Sequence, residues 1–310
     1  MKAPLTLALA FMLFPAGSAL RAANFDIRIA DEFSKIAAPN VELKKLGGGM
    51  KFVEGPVWVP RDDGYLIFSN IPDQELKKWS AKDGLTTYRL HSNEANGNCL
   101  NLEGELITCE GAARRLSITK KDNTITILVD EYKGRKFNSP NDVVVKSDRT
   151  VWFSDPDYGL GKKEKEMSGL FVFRLEPKTK KISKVVKDCD HPNGLCFSPD
   201  EKRLYVADSG KPHHIRVYDV QADGTVENGR VFCVIDKGVP DGIRCDASGR
   251  VFSSAGDGVQ IFNTEGTLIG KILVPEIPAN LCFGGEDRRT LFITAQTSLY
   301  SIPLLTEGAK

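Results

Sequence analysis

Six stretches of this chain obey one grammar, and an internal repeat restricts the possible folds more than any single motif does. They open at Glu54, Asn96, Asn141, Asn193, Asp241 and Asn280. Each begins with an acidic or amide residue, commonly followed by Gly, and runs through an apolar stretch into a polar turn. A second apolar stretch then ends in a small or acidic residue, as in Leu204-Tyr205-Val206-Ala207-Asp208. The opening residues recur roughly every 40 to 50 positions, a period typical of propellers and solenoids.

The turns include Asp63-Gly64, Glu103-Gly104, Ser147-Asp148, Pro199-Asp200, Ser248-Gly249 and Glu286-Asp287, residue pairs that bend a backbone readily. Apolar runs on both sides of such turns predict β-hairpins. More strand-like runs follow in most units, for example Leu170 to Leu175 and then Ile182 to Val186. Roughly four strands per unit predict an all-β, six-bladed β-propeller, whose radial closure avoids long exposed sheet edges. The last unit has only three clear runs, while a strand-like segment near Val41 to Leu46 precedes the first. That N-terminal strand is predicted to join the last blade and close the ring, giving an N-terminal extension over 23–40 and the propeller over 41–310. Trp58 and Trp152 are expected on inner strands, packed between blades. The charged run from Gly161 to Met167 predicts a solvated loop, with a lid over a channel mouth as the alternative.

Ahead of these segments, Met1 and Lys2 precede an apolar run from Leu5 to Phe14 and a small-residue stretch from Pro15 to Ala19. This order predicts a secretory signal peptide over 1–22. An uncleaved anchor is the alternative, disfavoured because the run is shorter than a bilayer span. Either way the body is expected to be exported, periplasmic or secreted, with no membrane span in the mature chain. Lys and Arg number 42 against 41 Asp and Glu, so no charge excess points to nucleic acid or an anionic membrane as a partner. A small neutral or mildly anionic ligand fits better. The seven cysteines are odd in number and lack CxxC spacing, which favours buried free thiols over disulfides. Cys99 and Cys109 flank Gly104 and could still face each other across a hairpin.

In a propeller the innermost strands line the central channel, so opening residues in one register converge on one mouth. They comprise two carboxylates, Glu54 and Asp241, and four amides, Asn96, Asn141, Asn193 and Asn280. Such hard oxygen donors suit Ca2+ better than zinc or copper. At any single position an Asx turn ahead of a strand explains the residue equally well. Six in register, two of them anionic, favour the metal, because a buried carboxylate needs a cation or a close partner.

Glu54-Gly55-Pro56-Val57-Trp58, Asn138-Ser139-Pro140-Asn141-Asp142, Pro192-Asn193-Gly194-Leu195 and Pro240-Asp241-Gly242 follow one another in order, with Phe153-Ser154-Asp155-Pro156 and Tyr205-Val206-Ala207-Asp208 between them. On these motifs the chain resembles the gluconolactonase and regucalcin-like lactonase family, the bacterial gluconolactonase-like members most of all. The resemblance covers essentially the whole chain after the leader. It implies a six-bladed propeller, a divalent metal, usually Ca2+ with Mg2+, Mn2+ or Zn2+ as substitutes, and hydrolysis of a sugar lactone such as gluconolactone. It places the metal ligands on Glu54, Asn193 and Asp241, with Asn141 completing the set or contacting substrate. Asp241 becomes the candidate proton acceptor and Glu54 the second choice. Regucalcin-like members carry a substrate-gripping Arg two residues before the Asn that matches Asn141, and this chain has Ser139 there. The substrate of those members therefore does not transfer.

A lactone is an ester, and its hydrolysis builds negative charge on the former carbonyl oxygen, which a nearby cation stabilises. Ca2+ activates water weakly, so a carboxylate base is expected to assist. The chain has no G-x-S-x-G elbow and no HExxH motif, which removes the usual serine-esterase and zinc-protease routes. Asn96, Ser139, Asn141 and His191 are the expected substrate contacts, with a satisfied loop histidine as the alternative for His191. Two rivals share the fold: a phosphotriesterase-like hydrolase on the same site, and a ligand-binding propeller without catalysis.

Overall fold

The computed structural model describes residues 24–310, and the expected leader lies outside them. Six antiparallel sheets surround a channel, each sheet a meander whose first strand is innermost. Blade 1 comprises Val53–Val59, Tyr65–Asn70, Glu75–Ser80 and Gly84–Leu90, and blade 2 comprises Ala95–Leu100, Leu106–Glu110, Arg115–Thr119 and Ile125–Val129. Blade 3 is Val143–Val145, Val151–Asp155, Phe171–Glu176 and Lys181–Val186, and blade 4 is Pro192–Phe197, Arg203–Asp208, His214–Val220 and Val226–Val234. Blade 5 holds Ile243–Cys245, Val251–Ala255, Gly258–Phe262 and Leu268–Leu273, and blade 6 holds Pro278–Gly284, Thr290–Ala295 and Ser298–Pro303.

The missing outer strand of blade 6 comes from Lys44–Gly47, which pairs antiparallel with Ser298–Pro303, Lys44 opposite Ser301. The ring is thus closed by the early segment, as its apolar pattern suggests. Part of the stretch expected as an extension also joins a blade: Phe25–Ile27 pairs with Leu268–Leu273 as a fifth strand of blade 5. A single-turn helix at Ala30–Phe33 follows, and Phe33 and Ile36 are buried against Ile269, Ile272 and Ile302. This clamp covers the outside of blades 5 and 6.

The core lies between neighbouring blades, because each sheet is apolar on both faces and must bury both. Blade 4 contributes Tyr205, Ile215 and Val217, and blade 5 contributes Ile243, Val251 and Phe262, to one such cluster. Trp58 of blade 1 stacks on Phe292 of blade 6, with ring centroids 5.3 Å apart. Trp152 also packs between blades, edge-on to Phe197 at 5.3 Å. It stands on the second strand of blade 3, not the inner one, because the inner strand ends at Val145 ahead of the Ser147-Asp148 turn. All seven cysteines are free thiols, five of them buried. Cys99 lies opposite Ile107, so it does not face Cys109.

Inner strands break register where the channel opens. Shifts fall between Glu54 and Val57, Ala95 and Asn98, Pro192 and Leu195, and Pro278 and Asn280. A bulge bends its strand and re-aims a side chain. Here it turns Glu54, Asn96 and Asn193 inward. Close approach of the strands depends on glycine: a Cβ on Gly97 would strike the Asn141 carbonyl, and one on Gly242 would strike Asn280.

Candidate functional site

One mouth of the channel opens into a cavity of 550 Å³, and Glu54, Asn96, Ser139, Asn141, Asn193 and Asp241 line it together. Side chains from five blades therefore meet where the repeat predicts them. His191 stays beside the cavity, its ring stacked on Tyr158 at 5.8 Å, while Tyr158 itself lines the wall. The imidazole Nε2 lies 3.5 Å from Asp157.

The acidic or amide residue that closes a repeat unit holds this mouth in place. The Asn70 Oδ1 accepts the Lys51 N–H at 3.1 Å. The Asp155 carboxylate accepts the N–H groups of Asn138 and Ser139, each at 2.9 Å. The Asp208 carboxylate accepts those of Asp190 at 2.9 Å and His191 at 2.8 Å. The tethered amides stand three positions, and in blades 3 and 4 also two positions, ahead of the mouth residue. A buried acceptor taking two backbone N–H groups is a strong local constraint. It fixes the lead-in loop, and the loop fixes Glu54, Asn141 and Asn193.

Blade 6 departs from the register expected for Asn280. The Gly242 N–H donates to the Ala279 carbonyl at 2.8 Å, just as the Gly97 N–H donates to the Asn141 carbonyl at 2.7 Å. Ala279 thus occupies the mouth position, and Asn280 matches Asp142, one level deeper. From there the Asn280 Nδ2 donates to Glu54 Oε2 at 2.9 Å, beside the Gly55 N–H at 2.6 Å.

Burial raises the Glu54 carboxyl from 4.5 to about 7, with the nearby Asp142 charge adding to the effect, while the Asn280 and Gly55 donors oppose it. Asp241 is held well above the usual carboxylate range, first by burial and then by Glu54 and Asp142, with Asn193 pulling the other way. Two carboxyls this close to one another and out of water raise each other's pKa, and a cation between them would relieve that repulsion. Among the described residues neither has an ion-pair partner, and the guanidinium below them, Arg244, is engaged with Asp142 at 3.1 Å. Asn96 adds a buried Oδ1 without a hydrogen-bond partner. Together these are hard oxygen donors short of positive charge, the donor chemistry of Ca2+ or Mg2+. Among the described residues no three His, Cys, Asp or Glu side chains cluster in a way that could hold a metal, so any ion here depends on amides as much as carboxylates.

The family described as SMP-30/gluconolactonase/LRE-like region matches residues 52–297. The chain belongs to this family. It is 31% identical to a gluconolactonase of Zymomonas mobilis subsp. mobilis over 86% of this chain and 82% of that one. The structure of XC5397 from Xanthomonas campestris, described as a gluconolactonase, superposes with a TM-score of 0.86 at 31% identity, covering 94% of this chain and 99% of that one. A calcium-binding protein, regucalcin, from Agrobacterium tumefaciens superposes with a TM-score of 0.73 at 21% identity, over 87% of this chain and 95% of that one, a likeness of fold.

Within this SMP-30/gluconolactonase fold, Ser209 was hard to find from spacing, whereas Tyr158, with Asp155 and Asp157, follows the third inner hairpin, where an approach to the pocket and a turn role are both expected. Ser209 lines the cavity, receives the Asn193 Nδ2 at 3.0 Å and donates to the Pro240 carbonyl at 2.5 Å. It directly follows the acidic end of its repeat unit, which was the available signal. Tyr158 bonds to Ser209 and Asn193 from the loop after blade 3's second strand. That same loop carries the charged run, and it is clasped to blade 2 through Lys163 on the Ala112 carbonyl and Glu166 on Arg114. Of this loop, Tyr158 and Gly159 line the cavity.

Proposed function

We propose that this family member is a divalent-metal-dependent hydrolase that opens a sugar lactone, gluconolactone being the first candidate and Ca2+ the first candidate ion. The observation that carries the proposal is the meeting of Glu54, Asn141, Asn193 and Asp241 around one cavity, with both carboxyls raised above their ordinary range by burial and by neighbouring acidic charge. These four residues would hold the ion, which when bound polarises the lactone carbonyl and offsets the charge that develops on its oxygen. Asp241 takes the proton of the attacking water, oriented by its contact with Asn193. Asn193 in turn donates to Ser209, and Ser209 to the Pro240 carbonyl, so a chain of part-buried bonds positions the base. The unpartnered Asn96 Oδ1 offers an acceptor to a sugar hydroxyl. Ser139 holds the Tyr158 loop by accepting the Gly159 N–H at 3.1 Å, which supports a role for it in shaping the substrate wall. His191 stacks on Tyr158, which lines the cavity. Export to the periplasm or beyond belongs to the same proposal and rests on the apolar run from Leu5 to Phe14.

The test is a lactone panel assayed after EDTA treatment and after return of Ca2+, Mg2+, Mn2+ or Zn2+. Lactone turnover lost by at least about 100-fold on chelation and restored by one of these ions is expected. Activity indifferent to chelation, in protein free of bound metal, would overturn the metal. A phosphotriester turned over faster than any lactone would overturn the substrate.

A further inference from the structure

The cavity at the mouth has two levels of opposite character. At its floor Glu54, Asn141 and Asn193 are buried. At its rim Phe52, Tyr158 and Val239 line the same cavity with 39%, 51% and 38% of their surface exposed, and half-buried Ile71 joins them. Large apolar side chains left in water and gathered at one opening mark a surface that a ligand covers. The four come from separate parts of the chain. Phe52 and Ile71 flank the first hairpin of blade 1, Tyr158 stands in the loop after the second strand of blade 3, and Val239 lies in the link between blades 4 and 5. Hydrogen bonds place them: the Ile71 N–H donates to the Phe52 carbonyl at 3.0 Å, Tyr158 bonds to Ser209 and Asn193, and Pro240, next to Val239, accepts Ser209 at 2.5 Å. Chain segments far apart in sequence thus supply one apolar collar above a polar floor.

The charged groups of the lining are of one sign. Among the described residues no Lys, Arg or His lines the cavity, whereas Glu54, Glu94 and Asp241 do. The Glu94 side chain makes no ion pair and no hydrogen bond among the described residues. Lys51, Lys163 and Lys165 of the adjoining loops are engaged outside the cavity, on Asp73, the Ala112 carbonyl and Asp157. A phosphate, sulfonate or carboxylate on the substrate would meet acidic side chains here and find none of the cationic donors that hold such groups, the proposed ion being committed to the lactone carbonyl. A cavity of 550 Å³ is also of the size that encloses a drug-sized ligand, larger than one sugar ring. We propose that the substrate is a neutral lactone bearing an apolar alkyl or aryl substituent, with the ring on the polar floor and the substituent against Phe52, Ile71, Tyr158 and Val239. This inference rests on the lactonase reading and adds what the ring carries and what it cannot carry.

Matched lactones test it: gluconolactone, its 6-O-methyl and 6-O-butyl ethers and its 6-phosphate, beside δ-lactones with a methyl or a butyl group at the ring carbon next to oxygen. Each buried methylene is worth about threefold in kcat/KM, so butyl should exceed methyl by at least tenfold in one series or both. The 6-phosphate should fall at least 100-fold below gluconolactone. Phe52→Ala and Val239→Ala should each lower the butyl-to-methyl ratio by at least threefold, and the double variant should bring it close to one. Glu94→Lys should narrow the gap between phosphate and gluconolactone by at least tenfold, with Glu94→Gln in between. Circular dichroism and a thermal melt on each variant confirm that the fold is kept. Turnover of gluconolactone with no gain from butyl in either series, a butyl-to-methyl ratio unmoved by the collar variants, or a 6-phosphate accepted as well as gluconolactone would overturn this inference and leave the lactonase standing. No turnover of any lactone by the metal-loaded protein would overturn both.

Discussion

The two ends of the central channel are built from the same inner strands and have opposite chemistry. The strands begin at the mouth with Glu54, Asn141, Asn193 and Asp241, around a cavity of 550 Å³. They end at the other opening around a larger cavity of 890 Å³ lined by Trp58, Leu100, Val145, Cys282 and Phe283, with Arg244 set in its wall. Size does not mark the working end. What separates the two is the concentration of acidic and amide groups out of water: two carboxyls raised by burial and neighbouring acidic charge, and an amide oxygen without a hydrogen-bond partner. At the lower end Arg244 is paired with Asp142, Arg288 donates to the Gly308 carbonyl, and Trp58 is stacked on Phe292. Where stability alone is at stake, buried groups are partnered. Where they are not, a ligand is expected.

The largest effect that would break this contrast concerns Asp241. Asp241→Asn keeps the shape of the mouth and removes the proposed ligand charge and the proposed base, so kcat for lactone hydrolysis should fall by ~10^3-fold or more, with the melting temperature unchanged or raised. Steady-state kinetics beside a thermal melt would show it, and near-normal turnover would mean that the chemistry lies elsewhere. At the opposite end Trp58→Ala removes the stack on Phe292 and should cost about 2–3 kcal/mol in denaturant unfolding, while kcat changes by less than about threefold. A large loss of kcat there, with the fold intact, would erase the distinction between the ends. The smallest effect is a pH dependence of the metal-free protein. Glu54 rises from 4.5 to about 7 on folding, so between those values the folded state holds more protons than the unfolded one, and stability falls as pH rises through the window. Asp155, also raised to about 7 by burial, shares the window. Melting temperatures from pH 5 to pH 7.5 should decline in EDTA and decline less in excess Ca2+; parallel curves would argue that no ion meets these carboxyls.

The propeller, its six blades and the strand that closes it were legible because hydrophobic alternation and turn residues repeat on a fixed period, and that period is itself the fold. The mouth residues were legible for the same reason: a common register becomes a common place in space. Asn280 shows the limit. The bulge of blade 6 lies between Pro278 and Asn280, whereas in blade 1 it lies between Glu54 and Val57. A one-residue difference in bulge placement moves a side chain from the rim to the level beneath it, and composition does not report it. The Asp142–Arg244 pair escaped for another reason: it joins blade 3 to blade 5, and a contact across the ring leaves no local pattern. His191 sits two residues from Asn193, yet its ring stacks on Tyr158 beside the cavity, a loop conformation that spacing alone cannot express.

The strand Lys44–Gly47 pairs with Ser298–Pro303, and Asn280 of the last blade bonds Glu54 of the first. Seen as a folding problem, these two contacts make maturation of the site the last event in the life of the nascent chain. Until the final hairpin docks, blade 1 has no neighbour on one side, Glu54 lacks its amide donor, and two sheet edges stand open to other chains. Contacts between the beginning and the end of a long β chain form slowly. An intermediate caught before closure would be both inactive and the species most prone to aggregate, so truncation of the C-terminal hairpin should harm yield and catalysis together, however far its residues lie from the substrate.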